Sequence, residues 1–68
     1  MNNIKIKEEY IKLGQALKAS GLVNEGSDAK YAITEGKVKV NGEVCTMRGK
    51  KLYPGDDFSY QGKTVHCE

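Results

Sequence analysis

Several features that often identify an enzyme, a secreted scaffold or a membrane protein are scarce in this chain. It has no tryptophan, one proline, one histidine and only two cysteines. No window approaches the run of about 18 apolar residues that a membrane span needs, and the N-terminus lacks the apolar stretch of a signal peptide. Small secreted scaffolds of this length usually carry about four or more cysteines, so reduced thiols and a cytoplasmic location are expected.

The few residues suited to catalysis or metal binding are poorly placed for either. His66 lies near the C-terminus, and no Gly-x-Ser-x-Gly elbow is present. A metal site would need Cys45, His66 and Cys67, but the last two are neighbours on a predicted strand and point to opposite faces. We expect Cys67 in the core and His66 on the surface. A disulfide between Cys45 and Cys67 is possible only if the strands that carry them are adjacent. The sequence therefore predicts a protein that is not an enzyme and that binds neither a metal nor a cofactor.

Length and charge favour a domain that works through its outer surface. At 68 residues with 38% hydrophobic content, residues 1–68 are expected to form one domain, too small to enclose a large pocket. The net charge of +2 is modest, but residues 37–51 hold five cations against Glu43 alone, a local charge of +4. The rest of the chain therefore sums to −2. Basic surface is concentrated in Lys37, Lys39, Arg48, Lys50 and Lys51.

Two helices are predicted in the first half of the chain. Apolar residues recur at three and four positions from Tyr10 through Leu17, a helical stripe that ends near Ser20-Gly21. A second helix is expected from Gly26 or Ser27 to Glu35, with Ser27 or Asn24 as N-cap and Gly36 as terminator. Its buried positions are Ala29, Ala32 and Ile33, and its outward positions are Lys30, Tyr31 and Thr34.

A hairpin is predicted directly after the second helix. Val38 and Val40 share one face of a strand, and the Asn41-Gly42 pair behind them is a hairpin signal. A two-residue turn would place Val40 opposite Glu43, whereas a three-residue bulged loop would place it opposite Val44. The apolar match favours the bulge.

The remaining segments complete a small antiparallel sheet. Residues 46–56 are expected to form a basic loop that ends in a type II turn at Pro54-Gly55, and Gln61-Gly62 turns the chain between two further strands. Residues 4–7 alternate between apolar and charged side chains, a pattern that predicts a short half-exposed strand. The apolar positions of the last two strands are Phe58, Tyr60, Val65 and Cys67. Two short helices followed by such a sheet give an α+β fold.

The arrangement of cations raises the prospect of nucleic-acid binding. They alternate along a strand, continue into the loop with Arg48, and are joined by Lys30 and Tyr31 on the second helix. Cations beside a flat ring suit phosphates and unpaired bases. On these grounds nucleic acid becomes a stronger candidate partner than the net charge alone suggests.

A family resemblance rests on the same segments. The pattern Leu13-x-x-x-Leu17, Gly21-Leu22, Ala29, Ile33 and Gly36-x-Val38-x-Val40-Asn41-Gly42 resembles the S4 domain, the RNA-binding domain named after ribosomal small-subunit protein four. Residues 48–52 and Pro54-Gly55-Asp56 look like small stand-alone bacterial members, and the match covers residues 11–58. The resemblance implies an αL-type fold, in which two short packed helices meet a small bent antiparallel sheet and dock on structured RNA.

The resemblance also suggests which residues contact RNA. Lys12 stands where the family commonly has an arginine, whereas Glu25-Gly26 replaces the usual Ser or Thr followed by Arg. More of the contact is therefore expected from Lys37, Arg48, Lys50 and Lys51. The candidate RNA-binding residues are Lys12, Ser27, Lys30, Tyr31, Lys37, Lys39, Asn41, Arg48, Lys50 and Lys51.

The sequence thus predicts a non-catalytic, monomeric protein that binds structured RNA, ribosomal RNA or a ribosome-assembly intermediate, with the ribosomal subunit or its proteins as further partners and no membrane. A-form RNA hides its base edges, so such a surface is expected to recognise backbone shape more than sequence. The alternative is a protein-interaction module that docks on a ribosomal or replication protein through Tyr31, Tyr53 and Tyr60.

Overall fold

A computed structural model describes residues 2–68, which form two helices and seven short strands. The helices are α1 (Leu13–Ala19) and α2 (Gly26–Thr34). The strands are β1 (Asn2–Ile4), β2 (Ile11–Lys12), β3 (Val38–Val40), β4 (Glu43–Val44), β5 (Lys51–Leu52), β6 (Asp57–Tyr60) and β7 (Lys63–Cys67). The predicted α+β class is confirmed.

The strands form one mixed sheet and one separate ribbon. The sheet has the order β1-β7-β6-β3-β4, and β2 pairs with β5 as an antiparallel two-stranded ribbon. The prediction of an all-antiparallel sheet is wrong at one edge, because β1 runs parallel to β7. The strand expected at residues 4–7 ends at Ile4, although the Ile6 N–H still donates to the Glu68 carbonyl at 2.8 Å.

The core lies between the two helices and the inner face of the sheet. Its largest fully buried side chains come from both helices, from the ribbon and from three strands of the sheet: Phe58, Leu13, Leu17, Ile33, Leu52, Val38, Val65 and Cys67. The predicted buried stripe of α2, made of Ala29, Ala32 and Ile33, is confirmed, as is the core position of Cys67. Tyr60 packs partly buried against this core, so it is not the exposed anchor that the protein-interaction alternative required.

Both helices end in the same hydrogen-bonded motif at a glycine with positive φ. Gly21 (φ +80°) donates to the Lys18 carbonyl, and the Leu22 N–H donates to the Leu17 carbonyl at 3.2 Å. Gly36 (φ +73°) ends α2 with the equivalent pair of bonds. This is the Schellman motif, which satisfies carbonyls that a helix end leaves free. The predicted stops at both glycines are confirmed.

The predicted starts of the helices are less accurate. Tyr10 lies outside α1, because Ile11 and Lys12 are extended and pair with β5 before the helix begins at Leu13. The N-cap of α2 is Glu25, not Ser27 or Asn24, and its side chain makes no capping bond. The N-cap is the residue with extended backbone whose carbonyl accepts the first helical bond, here from Ala29 at 3.1 Å.

The hairpin between β3 and β4 has a two-residue turn, so the predicted bulge is wrong. Asn41 (φ 51°) and Gly42 (φ 86°) both have positive φ, as a type I′ turn requires, and Val40 lies opposite Glu43. Beyond β4 the Cys45 N–H donates to the Val38 carbonyl at 3.0 Å. Cys45, and not Val44, is the residue after the turn that packs partly buried against the core. Val44 is therefore left exposed.

The other two turns form where the sequence predicts them. At Pro54-Gly55 the glycine has φ 103°, and the Asp56 N–H donates to the Tyr53 carbonyl at 3.0 Å, as in a type II turn. Gln61 (φ 52°) and Gly62 (φ 77°) form a second type I′ turn between β6 and β7.

Neither helix in residues 2–68 has the length and apolar character to cross a membrane. In the same part of the chain, Cys45 and Cys67 are free thiols, and no three or more His, Cys, Asp or Glu side chains are grouped so that they could hold a metal ion.

Candidate functional site

The basic loop between β4 and β5 lies across the start of α1. The Leu13 N–H donates to the Lys50 carbonyl at 2.9 Å, and the Gly14 N–H donates to the Arg48 carbonyl at 3.2 Å. A helix start leaves its first N–H groups without partners, and the side chain of Lys12, the N-cap residue, makes no capping bond. Loop carbonyls therefore replace a side-chain cap and hold the loop against the helix.

Arg48 is positioned by a turn and by a glycine. The Lys50 N–H donates to the Met47 carbonyl at 3.1 Å, which puts Arg48 and Gly49 at the corner of a tight turn. The stem of Arg48 lies so close to Gly14 that a Cβ added to the glycine would sit 3.0 Å from Cγ of Arg48. Gly14 is not among the site residues predicted from the sequence, although a glycine inside the first turn of a helix costs about 1 kcal/mol relative to alanine and so suggests a packing reason.

Four candidate cations meet around this junction, and we call them the loop cluster: Lys12, Arg48, Lys50 and Lys51. Lys12 and Lys51 are direct cross-strand partners in the ribbon, and all four side chains are exposed. The positions come from two segments far apart in sequence, and backbone hydrogen bonds and strand pairing hold them together. The loop cluster is therefore a cationic surface on an ordered backbone.

A second group of candidates lies on the outer face of α2 and just beyond its C-terminal end, and we call it the helix cluster: Lys30, Tyr31 and Lys37. The Lys37 ammonium lies 5.6 Å from the centroid of the Tyr31 ring, and Tyr31 is 61% exposed. Ser27 is also exposed and lies one turn before Lys30 and Tyr31 on the same helix face. The outward orientation predicted for Lys30 and Tyr31 is confirmed.

A shallow groove connects the hairpin to the loop cluster. Its volume is about 380 Å³, and its lining includes Val44 and Met47 together with Lys50. Val44 is 57% exposed and Met47 is 66% exposed, so both present apolar surface beside cations. Lys39 points out from β3 next to Val44, its cross-strand partner. Val44 also lies close to Gly36, because a Cβ added to Gly36 would be 3.6 Å from Cγ1 of Val44. The hairpin therefore reaches the end of α2.

Asn41 has a structural role at the hairpin tip. Its Oδ1 accepts a hydrogen bond from the Asp57 N–H at 2.9 Å, and its Nδ2 donates to Oδ1 of Asp56 at 3.3 Å. Both ends of the side-chain amide are thus engaged within the protein. The other nine candidates have exposed side chains that are turned toward solvent.

His66 makes one polar contact outside these clusters. Its Nδ1 lies 2.5 Å from Oδ1 of Asp57, and within residues 2–68 no other basic side chain lies this close to a carboxylate. The clusters therefore contain no carboxylate–cation pair in the described part of the chain. Burial and the nearby carboxylates Asp56 and Asp57 raise the pKa of the neighbouring Cys67 thiol to about 11. Such a thiol is a structural residue and a poor nucleophile at neutral pH.

Comparison with known proteins identifies relatives that cover nearly the whole chain. The family model described as the S4 domain matches residues 4–68. The chain is 43% identical over 61 residues to a Bacillus subtilis protein named "Probable ribosome maturation protein RlbA", an alignment that covers 90% of this chain and 86% of that one. It is 39% identical over 59 residues to YbcJ of Escherichia coli, with 87% and 84% covered.

The solution structure of Escherichia coli YbcJ is similar to this fold. The TM-score is 0.76 at 35% sequence identity, and the match covers 98% of this chain and 86% of YbcJ. That structure is described as revealing an αL motif involved in RNA binding. The likeness confirms the αL-type fold that the sequence predicted, and the match extends beyond residues 11–58 at both ends.

Proposed function

Because this chain belongs to the S4 domain family, we propose that it is a non-catalytic RNA-binding protein that recognises structured RNA through the loop cluster, the hairpin and the helix cluster. Residues 1–68 act as one such domain. RNA is the partner in this proposal, and the protein needs no cofactor.

The observation that supports this most directly is the hydrogen bonding of the basic loop to the start of α1. Phosphate contacts fix position and orientation only when the cations themselves have defined positions. Here two backbone hydrogen bonds and the pairing of Lys12 with Lys51 set the spacing of four cations. A rigid cationic surface of this kind suits the backbone shape of folded RNA, whose base edges lie in a deep groove.

Ribosomal RNA, or an intermediate of ribosome assembly, is the target we favour. The support is the name of the Bacillus subtilis relative, which refers to ribosome maturation. The exposed Val44 and Met47 beside Lys50 would then contact sugars or base edges next to the phosphates. The proposal places the protein in the cytoplasm and takes it to act as a monomer.

A salt titration tests the location of the RNA surface. Binding to a structured ribosomal RNA fragment is measured at several salt concentrations for the native chain and for the triple variant Arg48→Ala, Lys50→Ala, Lys51→Ala. If four or five cations contact phosphates, log affinity falls with log salt at a slope of about 3 to 4, and the triple variant lowers that slope by about 2 to 3. A native slope near zero, or an unchanged slope in the variant, would overturn the proposal.

A matched control variant distinguishes a defined binding site from an effect of net charge alone. The variant Lys5→Ala, Lys7→Ala, Lys63→Ala removes the same charge from exposed positions outside the clusters. Its slope should stay close to the native value. An equal loss in both triple variants would show a diffuse cationic surface and no defined site.

A protein-interaction module is the second candidate, and the exposure of Val44 and Met47 favours it. Ribosomal or replication proteins would be the partners, with Tyr31 and Tyr53 as further anchors. Affinity capture with and without ribonuclease distinguishes the two. Partners released by ribonuclease support RNA binding, and direct reconstitution of a ribonuclease-resistant complex from purified components would support the second candidate.

A further inference from the structure

The ribbon formed by β2 and β5 has one buried face and one exposed face. Ile11 and Leu52 are cross-strand partners, and both face the core, where Leu52 is fully buried. Lys12 and Lys51 form the next pair and face outward. Because side chains alternate along strands, Tyr10 and Tyr53, at the other side of the buried pair, share the outward face with the two lysines.

We call these four residues the tyrosine ribbon, and the side chains of Lys51, Tyr10 and Tyr53 form a chain of contacts within it. The Lys51 ammonium lies 4.8 Å from the centroid of the Tyr10 ring. The Tyr10 and Tyr53 rings are 6.0 Å apart between centroids and are inclined at 52°. Tyr10 is partly buried, whereas Tyr53 is 43% exposed and keeps surface open to solvent. The exposed Tyr53 ring thus packs against a second ring, and the ammonium of Lys51 lies over that second ring.

The backbone that carries Tyr53 is held in place. Its N–H donates to Oδ2 of Asp56 at 2.8 Å, and its carbonyl accepts from the Asp56 N–H across the Pro54-Gly55 turn. A ring on such a backbone loses little conformational freedom when a ligand stacks on it.

The two lysines lack an anionic partner in the described structure. Like charges directly opposite each other on a sheet destabilise it, yet Lys12 and Lys51 are direct partners and neither contacts a carboxylate in residues 2–68. An anion placed between them would relieve this repulsion. The required ligand therefore combines a flat ring for Tyr53 with a negative charge for the lysines.

We propose that the tyrosine ribbon binds an unpaired nucleotide of the RNA, with the base stacked on Tyr53 and the adjoining phosphate between Lys12 and Lys51. Bases of single-stranded RNA stack on aromatic side chains regardless of sequence. This inference rests on the proposed function and goes beyond it. It assigns the ribbon to a single-stranded end or bulge beside the folded RNA that the loop cluster and the hairpin contact.

Paired RNA probes test the ribbon separately from the rest of the surface. One probe is a blunt RNA hairpin, and the other is the same hairpin with a single-stranded uridine tail, chosen because uridines stack weakly on one another. The native chain should bind the tailed probe about fivefold or more tightly, the gain expected when one base stacks on one ring. Tyr53→Ala should abolish this gain, and Tyr53→Phe should keep it.

A crosslinking measurement gives an independent readout. A tail that contains thiouridine is irradiated in the complex, and the modified peptide is identified by mass spectrometry. The expected crosslink is to Tyr53 or Tyr10. Thermal unfolding of Tyr53→Ala, whose side chain is largely exposed, shows that the variant is folded.

The outcomes separate the inference from the proposed function. If both probes bind equally well and with a steep salt dependence, the ribbon does not bind a nucleotide, although the domain still binds RNA. If neither probe nor ribosomal RNA binds, both proposals fail. A tail-dependent gain that persists in Tyr53→Ala would also overturn the inference.

Discussion

Gly14 leaves the space that the stem of Arg48 occupies, because a Cβ at residue 14 would lie 3.0 Å from Cγ and 3.6 Å from Cδ of the arginine. Gly14→Ala should therefore displace Arg48 while it improves the helix propensity of α1. These effects oppose each other, so the free energy of unfolding should change by less than about 1 kcal/mol. RNA affinity should fall severalfold, with a salt slope lower by about 1.

Gly26→Ala is the matched control for this substitution. Gly26 also lies in the first turn of a helix, but an added Cβ there would meet no atom within 4 Å. It should stabilise the protein without an effect on RNA binding, as thermal unfolding and a binding titration would show. Equal effects of the two substitutions on RNA affinity would refute the role assigned to Gly14.

Asn41 and Gln61 occupy the same position of two type I′ turns but differ in their side-chain bonds. Both have φ near 50°, so alanine at either position costs backbone strain. Only Asn41 also loses two hydrogen bonds, to Asp56 and Asp57. Asn41→Ala should reduce the free energy of unfolding by about 1 to 2 kcal/mol more than Gln61→Ala does, as measured by urea denaturation. Equal losses of stability in the two variants would show that the hydrogen bonds of the Asn41 side chain contribute nothing.

The Cys67 thiol makes stability depend on pH in the alkaline range. Its pKa is raised from 9.0 to about 11 by burial and by the charges of Asp56 and Asp57. Between these values the unfolded chain binds fewer protons than the native chain, so the free energy of unfolding falls as pH rises from 9 toward 11. The loss attributable to this thiol is about 2 to 3 kcal/mol.

A comparison of the denaturation of the native chain and of Cys67→Ala across this pH range isolates the contribution of this thiol. The variant is less stable at neutral pH because it leaves a cavity, but its stability should decline less steeply with pH. Parallel curves for the two proteins would contradict the assignment.

Removal of the helix cluster's charges tests whether α2 takes part in RNA binding. Lys30→Ala combined with Lys37→Ala should lower the salt slope by about 1 to 2. Both side chains are exposed, and the Lys37–Tyr31 contact contributes about 0.5 to 1 kcal/mol, so the fold should persist. Lys18→Ala combined with Lys63→Ala removes the same charge elsewhere and should leave the slope unchanged. An unaffected slope in the first variant would limit the RNA surface to the loop cluster and hairpin.

Local sequence signals predicted the features that depend on local physics. Gly21 and Gly36 end their helices because glycine adopts positive φ without strain, and this property depends on no distant residue. The buried stripe of α2 was likewise visible from helical spacing. The outward direction of Lys30 and Tyr31 followed from the same spacing, which is why these two site positions were predictable.

The features that the sequence does not predict depend on strand pairing and side-chain packing, which a local pattern does not reveal. β2 and β5 have two residues each, too few for a visible alternation, and they exist because Ile11 pairs with Leu52. The register of the first hairpin was misjudged because the apolar partner of its strand is Cys45, beyond Val44. The seating of Arg48 on Gly14 is also a tertiary contact. The sequence therefore predicts the basic segment 37–51, but it does not predict the backbone contacts that bring Lys12 beside this segment.

The position of β7 between β1 and β6 has a consequence for the order in which the protein folds. This strand pairs with β6 across a tight turn, but its other neighbour, β1, comes from the opposite end of the sequence. Closing so long a loop costs more entropy than forming either hairpin, so contacts between β1 and β7 develop late. The helices and the first hairpin can assemble before them, so the pairing of β1 with β7 belongs to the last steps of folding.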